Sequence, residues 1–222
     1  TKNKRNKKRR KEGIPMIFTC VKPECCATLE QNTIATMCPV CGAPMELVEE
    51  TQLSGLQWCN LGIFWRQQHT EEGDCRAAAC FQKSKELGDR CGASNLGICY
   101  EYGIGVAREE KTAFQLYQWS AEQGYEPALY HMATCYEYGI GVEQDWKQAF
   151  SGFLEAASLG YTPAFNMVAY CYEYGYGTRK HIHVALIFSN GFCTNEYLII
   201  IAIITKTSEI AIVIPIDIID LS

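Results

Sequence analysis

A chain of 222 residues with 48% hydrophobic side chains is long and apolar enough to bury a core, which excludes global disorder. Its formal charge of −5 conceals an asymmetry, because eight of the first eleven residues are basic and the remainder carries 12 basic against 25 acidic side chains. An acidic body of that kind offers phosphates no broad face, so nucleic-acid affinity is expected only near the N-terminus.

Residues 1–14, with Lys2, Lys4, Arg5, Lys7, Lys8, Arg9, Arg10 and Lys11, read as a disordered basic arm. Such an arm can touch nucleic-acid phosphates weakly, or anionic lipid; the alternative is a solubilising tail. Because the chain starts at Thr1, the natural N-terminus, and any targeting signal with it, is expected upstream. The apolar run after the arm, Gly13-Ile14-Pro15-Met16-Ile17-Phe18, falls short of a signal peptide, so a cytoplasmic location is expected. Thirteen cysteines, an odd number at irregular positions, argue against a simple disulfide framework.

Residues 15–50 contain Cys38-Pro39-Val40-Cys41-Gly42, in which a tight turn can aim two thiols at one metal. Cys20 and Cys25, separated by four residues, form a looser first knuckle. The segment Ile17 to Val48 resembles a zinc ribbon, two knuckles on short β-hairpins around a tetrahedral site. The resemblance implies a structural Zn²⁺ held by Cys20, Cys25, Cys38 and Cys41. The family's first knuckle usually has a two-residue gap followed by Gly, and here Cys26 stands in the glycine place, so Cys26 is an alternative ligand to Cys25. Four thiolates leave no open coordination position, which makes the metal structural and not catalytic.

From residue 51 to 178 the chain repeats itself. Cys99-Tyr100-Glu101-Tyr102-Gly103 returns at Cys135 to Gly139 and again at Cys171 to Gly175, a step of 36 residues. Ala113 and Ala149, Ala121 and Ala157, Pro127 and Pro163, and Gly88, Gly124 and Gly160 keep the same step. Each unit reads as two helices. In the first, Pro127 opens, Ala128, Met132 and Tyr136 share a face, and Gly139 stands at the left-handed cap. In the second, Asp145 is the expected N-cap, Ala149, Phe153 and Ala157 share a face, and Gly160 ends it. Neither helix can bury its apolar stripe alone, so the units must stack.

The pattern Leu-Gly, then Tyr-x-x-Gly-x-Gly-Val, then a second helix ending Ala-x-x-Gly resembles the Sel-one-like repeat (SLR) family. Its loop stands here as Gly103-Ile104-Gly105-Val106 and Gly139-Ile140-Gly141-Val142, and decays to Gly175-Tyr176-Gly177-Thr178. The resemblance implies an all-α fold, a right-handed α-α superhelix built as a solenoid of helix-turn-helix repeats and related to tetratricopeptide repeats, preceded by the small β zinc ribbon. Asn60-Leu61-Gly62-Ile63 echoes Asn95-Leu96-Gly97-Ile98, so residues 58–88 read as a degenerate first repeat whose glycine loop is replaced by residues 67–73.

Beyond Thr178 the register fails apart from Ala185, and residues 179–222 read as an atypical Ile-rich tail. Its apolar runs are too short for a membrane span, and Leu198 to Ile204 with Ile210 to Ile216 suit a β-hairpin.

No catalytic constellation is present. His181-x-His183 supplies two lone ligands, and Gly103-Ile104-Gly105 follows a helix and not the strand that a phosphate loop requires. The resemblance therefore implies a non-catalytic scaffold or adaptor that binds protein partners of unknown identity through a concave face. The alternative is a nucleic-acid-associated protein acting through the ribbon and basic arm. Glu101, Glu137 and Glu173 each follow a core tyrosine by one residue, a turn of about 100° that should carry them out of the packed interior. They are expected to form an acidic ladder for a basic or amide-rich partner segment, with Tyr102, Tyr138 and Tyr174 beside it.

Overall fold

The computed structural model describes residues 16–20, 28–31, 38, 43, 45–48 and 52–189. Three strands, β1 (Met16–Cys20), β2 (Thr28–Gln31) and β3 (Met45–Val48), precede eight helices among these residues. The helices are α1 (Gly55–Arg66), α2 (Glu71–Glu86), α3 (Arg90–Tyr102), α4 (Glu110–Glu122), α5 (Glu126–Tyr138), α6 (Trp146–Ser158), α7 (Thr162–Tyr174) and α8 (Ile182–Ser189). They fall into two compact units, the first ending at Asp145 and the second beginning at Trp146.

In the first unit the strands form an antiparallel sheet in the order β2-β1-β3, with Phe18 opposite Leu29 and Leu47. The two-residue period of a strand sends Ile17 to one face and Met16 and Phe18 to the other. Ile17 packs with Leu53, Trp58, Leu61 and Cys80, whereas Met16 and Phe18 meet Met45 and Leu47. The sheet is clasped to the helices by Glu30, which accepts a 2.9 Å hydrogen bond from Trp65 Nε1 and lies 3.5 Å from the Arg76 guanidinium. That guanidinium sits 4.5 Å over the Trp65 ring, so charge and ring contact act on the same three side chains.

Helix boundaries follow from local chemistry. Ser54 and Gln57 form a capping box on α1, Thr70 accepts from Gly73 N–H on α2, and Asp89 accepts from Gly92 N–H on α3. The expected first repeat is thus a helix pair, and Glu71–Gly73, assigned to its loop, are instead the first turn of α2. In the first two helix pairs, the aromatic ring of the second helix seats on a glycine of the first. Gly62 faces Phe81 and Gly97 faces Tyr117, where any Cβ would collide with the ring. Phe81, Leu96 and Cys99 form one cluster, and Ala113, Tyr117 and Cys135 the next.

The Gly-x-Gly loop uses its two glycines for different reasons. Gly103 and Gly139 cap α3 and α5 in the left-handed region, and their N–H groups return to the carbonyls of Cys99 and Cys135. Gly105 and Gly141, at φ 67° and 68°, run against the carbonyls of Asp74 and Glu110, leaving no room for a side chain. Glu109 N–H then bonds to Tyr100 O at 2.8 Å, and Asp145 N–H to Tyr136 O at 2.9 Å, so the two loops are copies.

The second unit repeats the design. Gly175 caps α7, Gly177 runs against the Trp146 carbonyl, and His181 N–H bonds to Tyr172 O at 2.8 Å. Tyr172 is buried between Phe150 and Phe188, its ring 5.2 Å and 6.0 Å from theirs. Helical structure therefore continues past Thr178, and α8, with Val184, Ala185 and Phe188 buried, supplies the second helix of this pair. The expected end of the repeats at 178 is corrected to 189. The hairpin expected within 198–216 lies outside the described residues, as does the basic arm.

Candidate functional site

Tyr102 and Tyr138 are the last residues of α3 and α5, and they are 66% and 67% exposed, well above most aromatic side chains. Each follows a glutamate that the sequence places outside the core. The structure corrects that expectation for two of the three carboxylates. Glu101 and Glu137 are buried, and Glu173 alone is exposed.

The cause lies in the neighbouring helices. A residue turned about 100° from the core stripe reaches solvent only if the helix is covered on one side. In stacked helix pairs the coverage is wider, and Tyr117 of α4 donates a 2.6 Å hydrogen bond to Glu101 Oε2. Burial, followed by this bond, pushes the Tyr117 hydroxyl well above the usual phenol range and keeps it a donor. His131 stacks on Tyr117 at 5.0 Å, and desolvation holds its imidazole below the ordinary range, in the neutral form. Around Glu137, desolvation raises the carboxyl pKa, and a hydrogen bond with Tyr138 opposes that shift.

Interaction with Glu101, followed by desolvation, raises the Tyr102 hydroxyl above the ordinary phenol range. Each ring is exposed, and its two side-chain torsions leave little conformational entropy to lose when a partner covers it.

In the second unit Tyr174 is 53% exposed and belongs to a larger aromatic surface. Its ring lies 4.8 Å from Tyr170 and 5.9 Å from Tyr176, and Tyr176 stacks on Trp146 at 4.3 Å. Exposed Glu173 adjoins it. Flat, rigid rings beside a carboxylate suit apolar, cationic or amide-bearing groups.

Of the expected zinc ligands, Cys20 ends β1 and is buried, and Cys38 is buried with its N–H bonded to Ala43 O at 2.7 Å. Cys25, Cys41 and the alternative Cys26 lie outside the described residues. His181 and His183 are both exposed. One group of three side chains among the described residues has metal-ligand spacing, and it was not anticipated: Cys59, Asp89 and Cys91. A separation of 32 residues between the two thiols follows neither the repeat step nor a knuckle, so periodicity gives no signal for it.

Residues 92–125, 126–161 and 164–188 each match the family model of the Sel1 repeat. The helix pair α1–α2 precedes the matched residues. No curated protein sequence matches the chain. Among solved structures, it is similar to a protective antigen present in uropathogenic Escherichia coli strains that displays an SLR fold. The two share 22% identity with a TM-score of 0.54 over 60% of this chain and 29% of the antigen. It is also similar to a Sel1 repeat protein from Oxalobacter formigenes, at 22% identity and a TM-score of 0.56, over 61% of this chain and 56% of that one. At such identities the likeness shows the SLR fold. The chain spans less than two thirds of either relative. No described helix is long and apolar enough to cross a membrane.

Proposed function

We propose that this chain, with its Sel1-like repeats, is a non-catalytic scaffold that binds protein partners through its exposed tyrosines. The observation that carries this reading is the recurrence of one arrangement, a tyrosine exposed at the end of its helix directly after a buried carboxylate, at Tyr102 and again at Tyr138. Exposed rings that recur at one place in successive helix pairs suit a binding surface. Tyr174 and its neighbours extend the same chemistry in the second unit, and Glu173 favours a basic or amide-rich partner segment there.

Site-specific photo-cross-linking tests it. A photoreactive phenylalanine at 102, 138 or 174 in the full chain should yield a shared protein adduct that is missing when the probe replaces exposed Leu87 or Leu159. Equal adduct yields at tyrosine and leucine positions would remove the tyrosines from the interface.

The N-terminal sheet is proposed to be a ribbon with a structural Zn²⁺ on Cys20, Cys25, Cys38 and Cys41. Support comes from two buried thiols, Cys20 at the end of β1 and Cys38 in the chain between β2 and β3 of a small antiparallel sheet, and from the preference of zinc for soft thiolate donors. Metal analysis should return one zinc per chain, lost in Cys38→Ser. Less than half an equivalent after zinc-replete expression would refute it. The nucleic-acid alternative acts through the ribbon and the basic arm, residues 1–14, and the arm lies outside the described residues.

A further inference from the structure

Two helices and the residue leading into a third bring an unusual group of side chains together in the first unit. Cys59 lies on α1, and its Sγ stands 3.0 Å from the Sγ of Cys91, the second residue of α3. Asn95, one turn along α3, points its Nδ2 at both sulfurs, 3.4 Å from Cys91 and 3.7 Å from Cys59. Tyr125, immediately before α5, directs its hydroxyl at Cys91 Sγ from 3.5 Å. The two thiols differ in access, since Cys59 is fully buried and Cys91 is partly open.

We propose that Cys91 and Cys59 form a dithiol site that exchanges with small disulfides of the glutathione type. Three donors, the Cys59 S–H, the Tyr125 O–H and the Asn95 amide, converge on Cys91 Sγ, which also lies in the first turn of a 13-residue helix. Each of these favours a thiolate at that position. The charge distribution agrees: the bond from Cys59, first, and the bonds from Tyr125 and Asn95 bring the Cys91 thiol down to about 7, against the opposing effects of burial and of Asp89. Cys59 is pushed up, chiefly by that same bond and by its burial, and holds the shared proton.

The chemistry balances in two displacements. The Cys91 thiolate attacks one sulfur of RS–SR, forming a Cys91–SR bond while the S–S bond breaks and RS⁻ leaves with a proton as RSH. Cys59 then gives its proton to solvent, and its thiolate attacks Cys91 Sγ, expelling the second RS⁻. The products are a Cys59–Cys91 disulfide and two RSH, with two electrons passed from the protein to the small disulfide. Cys91 is the group a small molecule can reach, and Cys59 resolves. The bond joins α1 of the first helix pair to α3 of the second, so oxidation would staple neighbouring pairs.

Asp89 completes a candidate set of metal ligands, but its Oδ1 already accepts from Gly92 N–H at 2.7 Å and from Ser84 Oγ at 3.1 Å. Metal binding is accordingly the competing outcome in the test.

The experiment uses the full reduced chain, equilibrated over a series of reduced and oxidised glutathione ratios, acid-trapped, alkylated and mapped by mass spectrometry. The expected result is a Cys59–Cys91 linked peptide, absent in Cys91→Ser. In Cys59→Ser a glutathione adduct should persist at Cys91. The rate of Cys91 alkylation should reach half its maximum near pH 7, against about 8.5 for free cysteine, and Tyr125→Phe should move that midpoint upward. Circular dichroism of each variant establishes folding, and Cys91→Ser, at the partly open position, serves if Cys59→Ser unfolds. Three outcomes would overturn the proposal: a wild-type glutathione adduct at Cys91 that never resolves onto Cys59, an alkylation midpoint no lower than that of free cysteine, or bound zinc that survives Cys38→Ser and disappears in Cys91→Ser.

Discussion

Replacing Tyr117 by Phe removes one oxygen and leaves the ring that fills the space over Gly97. The lost atom is the 2.6 Å donor to Glu101, whose side chain sits in a residue only 6% exposed, so water cannot substitute fully. A hydrogen bond to a charged group contributes about 1.5–3 kcal/mol net. With about 2–4 °C per kcal/mol for a chain of this size, the melting temperature should fall by about 3–12 °C. Urea unfolding followed by circular dichroism gives the same quantity, and a cycle with Glu101→Gln isolates the pair, with an expected coupling of about 1 kcal/mol or more. The pair also makes stability depend on pH. Because the folded state raises the Tyr117 pKa, its contribution is fully present below the ordinary phenol pKa, about 10, and fades as pH rises above it. Wild type should therefore lose more stability than Tyr117→Phe between neutrality and pH 11. Strictly additive single substitutions, or a shift in midpoint worth less than about 0.5 kcal/mol, would refute the account of why Glu101 is buried.

Glu137→Gln should raise the melting temperature at pH 7, because burial raises the Glu137 pKa and disfavours its charged form. The gain should vanish on acidification below the ordinary carboxyl range, where wild type is protonated in both states; an equal gain at pH 3 would sink the idea. Gly141→Ala should cost well over the roughly 1–2 kcal/mol of a left-handed alanine, since its Cβ meets the Glu110 carbonyl, whereas Gly88→Ala should cost only that strain in open space. Equal losses in denaturant midpoint would show that the close approach is unimportant. Cys99 and Cys135, both buried and with thiols raised by desolvation, the latter to about 12, should resist iodoacetamide at pH 8 while exposed Cys75 reacts. They should also remain unlinked, since helices in successive layers stand about 8–10 Å apart and a disulfide needs Cα atoms within about 7 Å.

The helix pairs were legible because their punctuation is chemical and local. Pro127 and Pro163 stand in the first turn of α5 and α7, and Gly139 and Gly175 stand at left-handed caps, positions that each residue type marks without reference to the rest of the fold. The second glycine of each loop was legible only as a repetition. Its reason, the carbonyl of Asp74, Glu110 or Trp146 pressed against it, belongs to a helix about thirty residues earlier in the chain. The end of the array was misplaced for a related reason: Val184, Ala185 and Phe188 bury a helix face on which Ala185 alone keeps the spacing of the other repeats.

The error at Glu101 and Glu137 has a more general cause. A periodicity argument divides one helix into a core stripe and a solvent face, as though the helix met a single neighbour. In stacked pairs α3 meets both α2 and α4, so a residue a quarter-turn off the stripe is covered by a ring from the next helix. A carboxylate can occupy such a position only with a donor, and Tyr117 meets that condition at Glu101. For function the roles are thereby reversed. The acid lies inside the stacked pair and the aromatic residue after it is the surface, which is why neutralising Glu101 should weaken the Tyr117 contact before it changes any charge that a partner meets.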